Sequence, residues 1–289
     1  MRRSVLFLTV LLAVALALPA LAQAPAGAPM GPPKVLEIVR EEIKPGYSAM
    51  HEGNEAAWTR ALMAAKAPNH FLAMTSVTGP IEAWFITAHD SFEGWEKDIK
   101  AGDKPELQSI FAKYLRAEAE WVNHTSIIAA VYRPDLSYRA NVNIAEYRYF
   151  TVNRIRVRPG RGREFEEARK MQVAAHERAN VDEHLAVFEV VSGAPSGTFL
   201  YFVPSKTWKD ADTYDDRHKG YVDGLGEAGR KQIADAMANS LLGEDEAVFA
   251  FSPRLSYMSE EFVNRDPAFW RPKSAAAAKP AAMKEQKKK

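Results

Sequence analysis

The chain has 289 residues, a nearly balanced charge of 38 Lys and Arg against 37 Asp and Glu, and no cysteine. Without cysteine it can form no disulfide, thiolate nucleophile or cysteine-ligated metal site. The charge is unevenly placed, because two Arg lie in the first three residues and six Lys lie in 273–289. The part between carries an excess of about six acidic residues, which disfavours nucleic acid as a partner because a negative field repels phosphates.

The N-terminus is typical of an export signal. Two arginines precede an apolar run over 5–17, and a small-x-small cleavage motif ends at Ala22. A membrane anchor is the alternative, but the apolar run stops at Pro19 and is shorter than the roughly 20 residues of a bilayer span. We therefore expect a signal peptide over 1–22, a linker over 23–33, a periplasmic or secreted location and no stable membrane insertion.

The C-terminal segment 273–289 is rich in Ala and Lys and has no apolar periodicity. This composition predicts a disordered tail. Its lysines could make a weak contact with an anionic envelope surface, and a solvated chain end is the simpler interpretation.

Two short strings occur twice in the chain. The string Leu-Ser-Tyr at 136–138 recurs at 255–257, and the Pro-Gly pair at 45–46 recurs at 159–160. A repeat of more than 100 residues is too long for a solenoid and long enough for a small domain. We therefore predict an internal duplication with one unit over 34–140 and a second over 148–260.

The predicted elements of the first unit follow from hydrophobic periodicity and turn residues. In chain order they are a strand over 35–43, a helix over 47–66, a hairpin over 71–77 and 81–87, a helical region over 91–122 and a strand over 126–132. The second unit repeats this order, with a strand over 149–157, a helix over 163–179, a hairpin over 185–191 and 198–203, a helical region over 207–242 and a strand over 247–251.

The order strand, helix, strand, strand, helix, strand is that of ferredoxin-like units. Helices cover one face of such a sheet, so the other apolar face needs a partner. Packing the two sheets face to face or closing them into a barrel would bury both faces. The predicted fold class is α+β, with two tandem ferredoxin-like βαββαβ units packed as an intrachain pseudo-dimer of the α/β-barrel type.

The run 153–160, followed by Phe165 in a charged helix, resembles the first strand and helix of the dimeric α/β-barrel superfamily. That superfamily includes antibiotic-biosynthesis-monooxygenase-like and NIPSNAP-like proteins. The first unit offers 39–46 and has His51 where the second has Phe165. The resemblance implies a ligand cleft between the helices and the sheet of each unit. It implies little about function, because the superfamily hosts oxygenases, haem-handling enzymes, isomerases and binding proteins.

Candidate site residues come from the helix face predicted to point into each cleft. On that face lie Phe165, Ala168, Gln172, Ala175, His176 and Ala179 in the second unit, and His51, Asn54, Trp58, Ala61, Leu62 and Ala65 in the first. His51 and His176 are the candidate catalytic residues, because an imidazole can act as a base or ligand near neutral pH. A hydrogen-bonded core histidine is the alternative for each.

The ligand-binding candidates are Trp58, Gln172, His70, His184 and Trp84. His70 and His184 each lie one residue before the second strand of their unit. They either satisfy loose backbone groups or form a symmetric pair at the two cleft mouths. A tryptophan could stack on a flat ligand or pack in the core.

No metal site is predicted, and no cofactor. The segment 51–55 lacks the second His of His-Glu-x-x-His, so His51 and Glu55 offer two ligands where catalytic zinc takes three. Non-covalent haem with His51 or His176 as axial ligand stays open.

Three functional hypotheses remain. The first is an exported protein that binds a small, largely apolar molecule in one or both clefts. The second is an oxygenase-like enzyme, either cofactor-independent or haem-dependent, and the third is an envelope interaction module. We expect a small molecule as partner, no nucleic acid, and either a monomeric pseudo-dimer or a higher homo-oligomer.

Overall fold

A computed structural model describes residues 31–271 of the chain. The predicted signal peptide over 1–22, most of the linker over 23–33 and the tail over 273–289 lie outside the described residues. Between residues 31 and 271, no helix combines the length and the apolar character needed to cross a membrane.

Eight antiparallel strands close into a barrel. The strands are β1 (Val35–Ile43), β2 (Leu72–Ser76), β3 (Glu82–His89), β4 (Val122–Tyr132), β5 (Tyr149–Val157), β6 (Ala186–Ser192), β7 (Thr198–Ser205) and β8 (Leu241–Phe251). Their order around the barrel is β1-β3-β2-β8-β5-β7-β6-β4. Of the two arrangements open to the sequence, the chain takes the closed barrel.

The barrel consists of two runs of four strands with the same internal order. The first half, residues 34–140, contributes β4-β1-β3-β2, and the second half, residues 148–260, contributes β8-β5-β7-β6. The halves join where β2 pairs with β8 and where β4 pairs with β6. Barrel closure leaves no strand edge unpaired.

Seven α-helices accompany the barrel in the described part of the chain. They are α1 (Ser48–Ala64), α2 (Phe92–Gly102), α3 (Pro105–Glu118), α4 (Gly162–Ala179), α5 (Tyr214–Ser240), α6 (Glu260–Val263) and α7 (Pro267–Trp270). Helix α1 contacts α3, and α4 contacts α5. The backbone of α5 leaves helical geometry at Gly226, where φ is 64°.

Alternation along each strand separates two layers of core, because successive side chains point to opposite faces. In β1, Leu36 and Ile38 belong to the barrel interior, whereas Ile43 packs in a cluster with Ala56 of α1. The interior cluster draws on strands of both halves, so the predicted units share one core. Two residues of the last helices, Phe262 and Trp270, belong to the same cluster.

The repeated Leu-Ser-Tyr strings connect the two halves. The Ser137 hydroxyl accepts a hydrogen bond of 2.9 Å from the Val187 amide of β6 in the second half. The Ser256 hydroxyl accepts one of 2.9 Å from the Ala73 amide of β2 in the first half. Each string therefore contacts a strand of the opposite half through its serine.

The structure corrects three element boundaries. Strand β4 starts at Val122 rather than 126, and β8 starts at Leu241 rather than 247, so the helical region predicted to reach 242 ends at Ser240. The early part of β8 is exposed and polar, and only its backbone pairing with β5 makes it a strand. Alternation of apolar residues could not reveal it. Helices α6 and α7 were not predicted.

Candidate functional site

A cavity of about 850 Å³ lies in the second half, between the outer face of β5, β7 and β8 and helices α4 and α5. Aromatic side chains make up much of its wall, among them Tyr149, Trp208, Tyr214 and Tyr221. Its volume falls in the range of roughly 300–1,000 Å³ typical of small-molecule sites. The cavity lies between helices and sheet of the second half, which is where the resemblance implied a cleft.

The corresponding space in the first half is filled by side chains. Leu62 and Leu107 are buried there, and Trp58 packs edge-on against Phe111 with ring centres 5.9 Å apart. In the repeat alignment Trp58 corresponds to Gln172 and Leu62 to His176. Large apolar residues thus replace the polar ones that line the cavity of the second half.

Arg169 is the most unusual residue of the cavity wall, since its side chain is charged and only 4% exposed. Its Nε donates to the Leu136 carbonyl at 3.0 Å, and its Nη1 donates to Gln172 Oε1 at 3.1 Å. Its Nη2 has no protein hydrogen-bond partner among residues 31–271. Burial lowers the pKa of Arg169, because desolvation disfavours the charged form.

Tyr201 of β7 lies beside this guanidinium, whose central carbon is 5.3 Å from the ring centre. The Tyr201 hydroxyl also lacks a hydrogen-bond partner within the described part of the chain. Burial raises its pKa to about 12, so the hydroxyl keeps its proton. Arg169 and Tyr201 both line the cavity, and each has one buried donor atom without a protein partner in the described part of the chain.

A second polar group in the cavity consists of His176, Glu183 and His218. Glu183 Oε2 lies 3.4 Å from His176 Nε2 and 3.3 Å from His218 Nε2. Burial alone would raise the pKa of Glu183, but the hydrogen bonds with the two imidazoles outweigh it and bring the pKa to about 2. Glu183 is therefore an ionised carboxylate held between two imidazole rings.

Backbone geometry brings the three residues of this group together. Helix α4 ends at Asn180 in the left-handed conformation, with φ of 49°, which Asn tolerates better than most residues. The chain then turns back, and Glu183 reaches the ring of His176. His218 comes from the first part of α5, which packs against α4.

The first half contains a buried group of acids and one imidazole. His51 Nε2 lies 2.7 Å from Glu41 Oε2, and Asn54 Nδ2 donates to Glu118 Oε1 at 3.0 Å. Burial is the main cause that raises the pKa of Glu55 to about 11, and the neighbouring Glu118 carboxylate adds to it. Burial also raises the pKa of Glu118. Glu55 therefore holds a proton at neutral pH, next to the Glu118 carboxyl group.

The structure places two of the predicted site residues in the wall of the main cavity. His176 and Gln172 both line it. His70 and His184 instead line a second cavity of about 400 Å³, together with apolar residues of the barrel core such as Phe150 and Phe202. The idea that they lie at two separate cleft mouths is therefore wrong, because closure of the barrel brings the starts of β2 and β6 to one cavity.

Three other candidates lie away from both cavities. Trp84 is fully buried inside the barrel, where its Nε1 donates to Glu82 Oε2 at 2.7 Å. Trp58 packs in the filled first half, and His51 is 1% exposed and paired with Glu41. None of the three lines either cavity, because Trp84 and His51 are buried core residues and Trp58 is a partly buried packing residue. Their role in ligand binding or catalysis stays a prediction.

Haem does not fit either candidate imidazole in this arrangement. An axial histidine presents one ring nitrogen to the iron. In His51 the Nε2 atom contacts Glu41 at 2.7 Å, and in His176 the Nε2 atom faces Glu183 at 3.4 Å. At both positions a carboxylate lies within the space that the porphyrin ring around the iron would need.

Sequence reasoning missed Arg169, Tyr201, Glu183 and His218 in the main cavity. Arg169 follows two glutamates in a charged stretch of α4 that is typical of a solvated helix face. One signal was available, because the repeat alignment pairs Arg169 with Glu55 and so places a charged residue at the same inward position of both units. Glu183 and His218 lie on separate elements, and no spacing links them to His176.

No protein-family model matches the chain, and no curated protein sequence matches it. Solved structures that resemble it include an anthrone oxidase-like protein, with a TM-score of 0.48, 11% identity and coverage of 76% of this chain and 92% of that one. A candidate monooxygenase from Fusobacterium nucleatum has a TM-score of 0.46 and 13% identity, with coverage of 77% of this chain and 94% of that one. A chlorite dismutase variant from Candidatus Nitrospira defluvii has a TM-score of 0.43 and 10% identity, with coverage of 80% of this chain and 94% of that one. Similarity at this level identifies neither a ligand nor a reaction.

Proposed function

We propose that the cavity of the second half binds a small planar organic molecule that carries one anionic oxygen group, such as a carboxylate, phenolate or enolate. The main support for the proposal is that Arg169 is a buried cation whose Nη2 has no hydrogen-bond partner among the described residues. A buried polar donor without a partner costs roughly 1–3 kcal/mol, and more when it is charged. A ligand oxygen would recover that cost.

The charges around the cavity limit the ligand to a single negative group. Glu183, Glu244 and Glu246 also line the cavity, and Glu183 is ionised because its pKa is about 2. Carboxylates close to the ligand disfavour a second negative charge on it. A phosphate ester is therefore a poorer ligand than a monocarboxylate.

The aromatic wall favours a flat ligand. Tyr149 and Trp208 meet edge-on with ring centres 5.8 Å apart, and both line the cavity. Aromatic side chains supply large apolar contact area and stack well on planar groups. This refines the largely apolar molecule expected from the sequence to an aromatic molecule with one charged end.

The test compares pairs of ligands that differ only in charge. Binding of naphthoate and naphthamide to the full chain is measured by isothermal titration calorimetry, with wild type and the Arg169→Met variant. A hydrogen bond to a charged group contributes about 1.5–3 kcal/mol, so naphthoate should bind wild type roughly 10- to 150-fold more tightly than the amide. In Arg169→Met this preference should disappear.

Arg161→Met is the matched control, because Arg161 precedes the same helix, is exposed and contacts Glu164 outside the cavity. It should keep the preference of wild type for the acid. If the amide binds wild type as well as the acid does, or if Arg169→Met keeps the preference, the proposed role of Arg169 is wrong.

A second candidate function is an oxygenase-like enzyme, and the imidazole of His176 favours it. Its Nδ1 lies 2.8 Å from the Gln172 carbonyl oxygen. A carbonyl only accepts, so Nδ1 carries a proton, and Nε2, which faces Glu183, is the ring atom left for proton transfer. In that role His176 would remove a proton from a phenol or enol, and Arg169 would stabilise the resulting anion.

Oxygen consumption distinguishes the two candidates. Phenolic compounds that bind the cavity are incubated with the protein in air, and dissolved oxygen and products are followed. An enzyme should consume oxygen in proportion to product and lose this activity in His176→Gln. A binding protein should retain the ligand unchanged over many hours.

Several broader features also belong to the proposal. The equal strand order of the two halves and their equivalent Ser137 and Ser256 contacts support a tandem duplication within the dimeric α/β-barrel superfamily. The export signal at the N-terminus supports a periplasmic or secreted location. Fractionation of cells that express the full chain, followed by determination of the N-terminal residue, would test the location and the cleavage after Ala22.

A further inference from the structure

From the arrangement of His176, Glu183 and His218 we infer that the cavity of the second half is a mononuclear metal site for a divalent first-row transition ion. Two imidazoles and one carboxylate are a ligand set that zinc and non-haem iron sites use. The three donor atoms lie within 4.8 Å of one another. The inference concerns the metal ion alone and does not depend on the proposed organic ligand.

The distances between donor atoms fit one ion. Metal bonds of about 2.1 Å in a tetrahedron place neighbouring ligand atoms about 3.4 Å apart. Glu183 Oε2 lies 3.4 Å from His176 Nε2 and 3.3 Å from His218 Nε2. An ion can therefore be bound without a large movement of the three side chains.

The backbone fixes which nitrogen of each ring faces the carboxylate. His176 Nδ1 lies 2.8 Å from the Gln172 carbonyl, and His218 Nδ1 lies 3.0 Å from the Tyr214 carbonyl. Each Nδ1 is therefore a donor, and Nε2 is the atom of each ring that faces Glu183, where it can hold a proton or bind a metal ion. A hydrogen bond from the second ring nitrogen to a backbone carbonyl is the usual support of a metal-binding histidine.

Both Nε2 atoms face the Glu183 carboxylate, at 3.4 Å for His176 and 3.3 Å for His218. Either a proton on each imidazole or one metal ion can lie between the rings and the carboxylate. Each imidazole is held by stacking on a tyrosine. The ring centres of His176 and Tyr221 are 4.1 Å apart, and those of His218 and Tyr214 are 3.9 Å apart. Rings held in place lose little freedom when they bind an ion.

The site is open on one side, as catalytic metal sites are. All three residues line the cavity of about 850 Å³, so water or a ligand atom can complete the coordination. Structural zinc sites instead use four protein ligands. The position of Arg169 in the same cavity wall would let an organic anion contact the ion and the guanidinium together.

The buried group in the first half is the weaker metal candidate. Glu41, His51 and Glu55 also lie within 4.8 Å of one another. However, His51 and Glu41 are in direct contact at 2.7 Å, and Glu55 shares a proton with Glu118. All of them are at most 5% exposed, so neither an ion nor a ligand has a path to the group.

Zinc titration of the tag-free full chain after chelator treatment tests the inference. Calorimetry should show one Zn²⁺ per chain, and the heat should vary with the ionisation enthalpy of the buffer because binding displaces protons from the imidazoles. Glu183→Gln and His218→Gln should each weaken binding by roughly 100-fold or more. The absorption of bound Co²⁺ should be lost in the same two variants.

Two controls make the result specific. His124→Gln removes an exposed histidine of β4 outside the group and should bind Zn²⁺ like wild type. Arg169→Met should bind it at least as tightly, because a nearby positive charge is gone, and this separates failure of the metal site from failure of the organic ligand. Absence of saturable binding, or equal affinity in wild type and His218→Gln, would overturn the inference and leave two imidazolium–carboxylate pairs.

Discussion

Replacing Glu55 by Gln should make the stability of the chain less sensitive to alkaline pH. Glu55 is 1% exposed and shares a proton with Glu118, while Glu41 adds a further negative charge. Its pKa rises from an ordinary 4.5 to about 11, chiefly because burial disfavours the charged form. The folded chain therefore holds a proton at neutral pH that the unfolded chain releases.

The sign of the effect follows from proton linkage. Where the folded state binds more protons than the unfolded state, the free energy of unfolding falls as pH rises, by about 1.4 kcal/mol per pH unit for one proton. The stability that this group contributes is complete below its unfolded pKa and is lost progressively as pH rises to its folded pKa. Between about pH 6 and about pH 8 wild type should lose about 2.7 kcal/mol through this proton.

Urea unfolding followed by tryptophan fluorescence measures the difference. Glu55→Gln mimics the protonated group, so its advantage over wild type should grow by about 2.7 kcal/mol from about pH 6 to about pH 8. Glu52→Gln is the control, because Glu52 lies on the same helix but forms a half-exposed ion pair with Arg254. Parallel pH profiles for wild type and Glu55→Gln would refute the shared proton.

Three further predictions concern stability and are checked by the same unfolding measurement. Gly193→Ala should lower the free energy of unfolding by several kcal/mol more than Gly160→Ala. Both glycines have φ near +80°, but only at Gly193 would a Cβ lie 1.9 Å from the Ile127 carbonyl oxygen. Equal losses of stability in the two variants would contradict this. Glu82→Gln should lower the free energy of unfolding by about 3–5 kcal/mol, because the buried Glu82 carboxylate accepts hydrogen bonds from two arginines and a tryptophan. A loss of stability below about 1 kcal/mol would argue against this network. Trp58→Ala should cost about 3–5 kcal/mol through loss of packing, whereas a neutral result would mean that the first half is not tightly filled.

The sequence predicted the architecture well because the relevant signals are local and occur twice. Alternation in β1 and β5, the Pro-Gly turns and the hairpins at Gly79 and Gly193 all depend on neighbouring residues. The choice between stacked sheets and a closed barrel could not be made, because it depends on the pairing of β2 with β8 and β4 with β6. Those contacts link residues more than 50 positions apart.

The site was predicted only in part. The helix period placed His176 and Gln172 on the inward face of α4, and both line the cavity. The same period placed Trp58 in the first half, where its size and the neighbouring Phe111 fill the space instead. Arg169 is held in its buried position by a hydrogen bond to the carbonyl of Leu136, which lies in a different segment. A pattern of neighbouring residues cannot predict such a long-range contact. The expectation of no metal stays a prediction, and the zinc titration decides it.

The central claim is that one cleft, in the second half, is the functional site and that Arg169 binds the ligand there. The most direct measurement is a crystal structure of the full chain with bound naphthoate. We expect the carboxylate within hydrogen-bond distance of Arg169 Nη2, the ring against the aromatic wall near Trp208, and no ligand between α1 and the sheet of the first half. Naphthoate bound only in the cavity beside His70 and His184, or in the first half, would contradict the claim.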